Sequence, residues 1–266
     1  MTEFREQHLD GARFERVSLR GASFQDVYLT DAHIRDVDMT GAQFRLVRLQ
    51  SVRMRGVELV DVDIYGELRN IVINGVDVVP FIEAELNRRM PERAKMRPDT
   101  ADGFREAWAV LERLWEGTVE RARTLPEADL HRSVDGEWSF IQTLRHLAFA
   151  SACWVDRMIL GNPSPWRPLE LPWDEAPTGD WFTWDRDARP SLDEALALRS
   201  ARQATVRDVM AKLTDEWLAE TVTCTEPGHP KEEDMPVKEC LLVLLNEEWE
   251  HHLYAERDLS LLEPEG

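Results

Sequence analysis

The chain has 266 residues, enough for one large domain or two modest ones, and 43% of them are hydrophobic, ample for a packed core. A formal net charge of -19 argues against a basic face for nucleic acid or an anionic membrane. Apolar runs of about 18 residues and a basic-then-apolar leader are both missing, so neither nucleic acid nor membrane is an expected partner and a cytoplasmic location is the simplest expectation.

Self-similarity dominates the first eighty residues. Phe14, Leu19, Phe24, Leu29, Ile34, Met39, Phe44, Leu49, Met54, Leu59 and Ile64 stand five apart, and Ala or Val lies two residues before each. A period of five is neither that of a helix nor that of a strand. It predicts a coil with one repeat per face, the large and small residues pointing inward and the other three positions facing water. These units resemble the pentapeptide-repeat family over roughly residues 4 to 79, with Val in place of the family's preferred Ala in the later units. The resemblance implies a right-handed quadrilateral β-helix, here assigned to residues 1–79. Some members mimic DNA and bind topoisomerases. Thirteen acidic against ten basic residues over the first eighty make that the less favoured role, behind a scaffold or interaction platform.

An open coil end needs a cover. Residues 80–98, beginning at Pro80 with acids early and arginines late, read as a capping helix and linker. Beyond them the period of five vanishes, and all ten tryptophans follow. Four amphipathic helices are predicted, over 100–123, 139–160, 191–212 and 237–262, with Thr100, Ser139 and Ser191 as N-caps. Ser191 with Glu194 makes a capping box. Helices of this length and number make a bundle over 99–266. The long connection 160–190 carries Trp166, Trp173, Trp181 and Trp184, which either wall a pocket or cover the helices.

Three residues interrupt the inward stripes with chemistry. Glu248 and His252 lie four apart on the apolar stripe of the last helix, and His146 lies on that of the second. A buried carboxylate needs a metal ion, a buried cation or a hydrogen-bonded histidine beside it. Taken together, His146, Glu248 and His252 form a two-histidine, one-carboxylate set suited to a divalent metal with open positions. His251 and Glu247 read as surface or solvated residues, Glu256 as a group that orients His252, and Cys153 as a buried inert thiol. Cys153, Cys224 and Cys240 are an odd count without C-x-x-C spacing, which fits reduced thiols.

The segments DGEWSFIQTLRHL and NEEWEHHLYAERDL resemble the DinB-like superfamily over about residues 100 to 262. The resemblance implies a DinB-like four-helix bundle that binds a divalent metal through a histidine of the second helix and an H-x-x-x-H pair of the last. Trp138, Ser139 and His146 match the first motif and His252 the final ligand, while Glu248 stands where the family has histidine. It also implies a metal-dependent transferase or hydrolase acting on a small molecule or a low-molecular-weight thiol. Zinc, nickel, iron and manganese are not distinguished, and a homodimer is left open. The competing reading is a non-catalytic platform whose polar trio is a hydrogen-bond network.

Overall fold

The computed structural model describes residues 3–25, 27–44, 47–174, 176, 182–231 and 234–263. It falls into two compact units, Met1–Tyr65 and Gly66–Gly266. That boundary precedes the one expected at residue 79, because the register of five ends at Gly66 and a hairpin begins soon after it. The hairpin pairs β1 (Val72–Ile73) with β2 (Val76–Asp77).

Within the first unit the period of five is written into the backbone. Glu6, Gly11, Arg16, Gly21, Asp31, Asp36, Gly41, Ser51, Gly56 and Asp61 all have positive φ, each a multiple of five from the next. Four of them, Gly11, Gly21, Asp31 and Gly41, lie in hydrogen-bonded turns. The amides of Ala12, Ala22, Ala32 and Ala42 donate to the carbonyls of Leu9, Leu19, Leu29 and Met39 at 2.9 to 3.1 Å. In each the third residue is left-handed, which a type II turn requires and which favours the glycines of three of them. The packing differs from the sequence reading. Phe14 is 60% exposed and Phe24 63%, no described residue of 3–65 is buried, and no strand forms among them. The repeat supplies turns here without a closed apolar interior.

The second unit is helical. After α1 (Val79–Arg89) and a 3₁₀ turn (Pro91–Met96) come α2 (Ala101–Ala122), the short α3 (Glu127–Leu130) and α4 (Phe140–Ser151). Next are α5 (Leu192–Lys212), the short α6 (Asp215–Leu218) and α7 (Val237–Leu262). A second small hairpin, β3 (Thr221–Val222) with β4 (Met235–Pro236), leads into α7. The four long helices begin and end within a residue or two of their predicted bounds, and Thr100, Ser139 and Ser191 cap three of them. Both serines form full capping boxes, with Gln142 and Glu194. One difference lies in the second helix, which passes into a π-helix over Ala152–Ile159.

Helix α7 packs against α2 and α4, and α4 against α5. Phe104, Trp108, Leu111, Leu241, Leu244 and Leu245 build one end of the core, and Trp115, Leu144, Leu147 and Leu259 the other. A third cluster lies against the π-helix, where Trp166, Trp173 and Trp184 pack with Phe149 and Cys153. These three tryptophans lie against the helix, while Trp181 lies outside the described residues.

Candidate metal centre

The apolar stripe of α7 turns toward the core as its spacing demands, carrying Glu248 and His252 with it. Glu248 is wholly buried, and Arg199 of α5 meets it with Nη1 at 3.1 Å and Nη2 at 2.6 Å. The guanidinium also lies over the ring of Trp115, 4.6 Å from its centroid. Of the three partners that the sequence allowed for this carboxylate, a buried cation is the one present. His252 is buried against Trp115, ring centroids 5.5 Å apart. Its Nε2 is 4.0 Å from Glu256, which bonds Thr118 at 2.6 Å and pairs with Arg121. The structure therefore does not bring Glu248 and His252 together with His146.

One position earlier on the same helix, a different pair does meet it. His146 Nε2 lies 3.3 Å from Oε2 of Glu247, and donor atoms of His146, Glu247 and His251 all fall within 4.8 Å of one another. The donor set is shifted by a single residue, about 100° around the helix, from the centre of the stripe to its rim. Glu247, read as solvated, and His251, read as a surface residue, both belong to it.

Two hydrogen bonds decide what these donors offer. His146 Nδ1 lies 3.0 Å from the carbonyl of Leu171, and His251 Nδ1 lies 2.8 Å from the carbonyl of Glu247 one turn back. A carbonyl only accepts, so both imidazoles carry a proton on Nδ1, and in its neutral form each offers a lone pair at Nε2. At His146 the Nε2 atom faces a carboxylate oxygen. That contact holds either a proton on His146 Nε2 donated to the carboxylate or a cation between two acceptors, and a tetrahedral ion with bonds near 2.1 Å separates its ligands by about 3.4 Å. The donor set fits a divalent metal. His251 suits the role electrostatically, since burial and the neighbouring His146 push its pKa down to about 4 and keep it neutral. Burial alone would raise Glu247, but the contact with His146 and the fields of His146 and His251 outweigh it and hold the carboxyl below its ordinary value.

The surroundings are aromatic. Trp138 lies 4.4 Å from His146 and 5.9 Å from His251 between ring centroids, its indole nitrogen donating to Asp174 at 3.3 Å. Phe149 lies 6.0 Å from His146 between ring centroids. Cys153 is fully buried and accepts from Trp166 Nε1 at 3.3 Å, and burial raises its pKa, so it is an inert thiol. Arg257 and Asp258 pair with each other at 2.7 Å.

The family model for the DinB superfamily matches residues 110–255, more than half of the chain. The model for pentapeptide repeats matches residues 2–36 in eight copies. No curated protein and no solved structure matches the chain.

Proposed function

Because the chain belongs to the DinB superfamily and begins with pentapeptide repeats, we propose that its helical unit is a divalent-metal-dependent enzyme of the thiol S-transferase or hydrolase type. The observation that carries this is the convergence of ligand atoms of His146, Glu247 and His251 within 4.8 Å of one another, with no Lys or Arg paired to Glu247 among the described residues. In this reading His146 Nε2, the Glu247 carboxylate and a ring nitrogen of His251 hold the ion. A bound ion supplies Lewis acidity that makes a water or a thiol nucleophilic near neutral pH. The carbonyls of Leu171 and Glu247 keep both imidazoles in the ligating tautomer, and Trp138 shields one side of the set. A small-molecule or low-molecular-weight thiol substrate and a cytoplasmic setting belong to the same reading, and no helix among the described residues is long and apolar enough to cross a membrane.

Metal analysis of protein purified without added metal tests the site. Near-stoichiometric metal is expected in wild type and in His252→Ala, and little in Glu247→Ala or His251→Ala. Equal, sub-stoichiometric metal in all four would remove the metal reading.

For the first unit we propose a right-handed quadrilateral coil that would draw its apolar ladder inward and serve as an interaction platform. The left-handed residue at every fifth position supports it. Hydrogen exchange checks it: protected amides recurring every five residues are expected, and uniformly fast exchange over 3–65 rules the coil out.

A further inference from the structure

Arg145 immediately precedes the first donor, and its side chain is wholly buried. Its Nε donates to the carbonyl of Leu169 at 2.6 Å, its Nη1 to that of Ala188 at 2.8 Å, and its Nη2 to that of Asp185. All three belong to the long connection between the π-helix and α5. The tie is returned at Leu171, whose amide donates to the Arg145 carbonyl at 3.3 Å while its own carbonyl takes the His146 Nδ1 proton. A single loop residue is thus gripped by two consecutive residues of α4. The hydrogen-bond partners of this guanidinium among the described residues are carbonyls, not a carboxylate, which is a costly way to bury a charge. Charge-assisted bonds to several carbonyls hold a loop more firmly than neutral ones would.

The structure assigns Arg145 as a positioning residue of the donor set. By fixing the loop it holds the Leu171 carbonyl where it selects the Nδ1–H tautomer of His146 and leaves Nε2 for the ion. The assignment rests on the metal reading above. Arg157 provides the comparison. It is equally buried and bonds the carbonyls of Pro163, Glu226 and Pro230, yet none of these residues bonds a donor.

The test uses the full chain, Co2+ as the probe in competition with a chelator, and nitrogen-15 NMR of the histidines without metal. In wild type, His146 is expected to carry its proton on Nδ1. Arg145→Met removes the buried charge together with its bonds. It should keep the helical circular dichroism, lose about ten- to a hundredfold in Co2+ affinity, and show mixed tautomers at His146. Arg157→Met should change neither reading. The assignment is overturned by an Nε2-protonated His146 in wild type, by wild-type affinity and tautomer in Arg145→Met, or by an equal loss in Arg157→Met. Should Arg145→Met fail to fold, Arg145→Lys replaces it with the same expectation, and the wild-type tautomer still decides. No Co2+ binding in wild type would remove the metal reading alone, since the tautomers of wild type and variant are read without metal.

Discussion

Glu248 and Arg199 face each other with both side chains out of water, so neither tolerates loss of its partner. Glu248→Gln leaves a buried guanidinium half-satisfied and is expected to cost about 3–5 kcal/mol in urea unfolding. Adding Arg199→Met should return most of that loss, and a loss that the second change does not reduce would contradict the pairing. His229 adds a pH dependence. It sits 4.5 Å from Trp173 and 6.3 Å from Phe149 between ring centroids, and burial with the nearby Arg157 lowers its pKa to about 4. An unfolded histidine titrates near 6.5, so between about 6.5 and 4 the unfolded chain takes a proton that the folded one refuses. Stability is therefore full above that window and lost as pH falls through it. Wild type should lose more stability than His229→Phe between pH 7.5 and 4.5, and parallel losses would exclude His229. At this scale the sequence was informative up to one residue. A 3.6-residue stripe correctly buries Glu248 and His252, but burial is not ligation. The cation that neutralises Glu248 comes from Arg199, 49 residues away, and no local pattern marks it. The pair at 247 and 251 has the same spacing on a polar-looking rim, and only the approach of His146 distinguishes it.

Helix ends were more legible than helix faces, because caps are local chemistry. Ser191 lies outside the core and bonds the Glu194 amide while the Glu194 carboxylate returns to the Ser191 amide and hydroxyl. Ser191→Ala should lower stability by about 1 kcal/mol with the denaturant slope unchanged, and a change below a few tenths would mean that the cap is idle. The π-helix was not legible. Its wider turn depends on what surrounds it, including Arg157 reaching across to two loops, and the run Ala152–Ile159 reads as ordinary amphipathic helix. The tryptophan-rich connection reads as irregular, but its anchors are buried arginines on helices, among them Arg157 through the carbonyl of Pro163. Arg145 takes its carbonyls, and Arg202 bonds Glu170 at 2.7 Å and the carbonyl of Pro165.

The two units differ in what sustains them. All three clusters of buried apolar residues lie between Met96 and Leu262. Residues 66–266 expressed alone are therefore expected to unfold at the same temperature as the helical transition of the full chain, with the same metal content. A fragment that is molten or metal-free would show that the repeats contribute to the site. In the repeats, conformation is assigned by position and not by residue type, for Glu6, Arg16, Asp36, Ser51 and Gly56 all hold the same left-handed post. Such a ribbon has a reading frame. Excising a whole pentad keeps every later post in phase, whereas excising one residue hands the downstream posts to Val37, Ala42, Val52, Val57 and Val62, branched or methyl-bearing side chains that resist that geometry. Length in this part of the chain is therefore free to drift in steps of five and is guarded against any other.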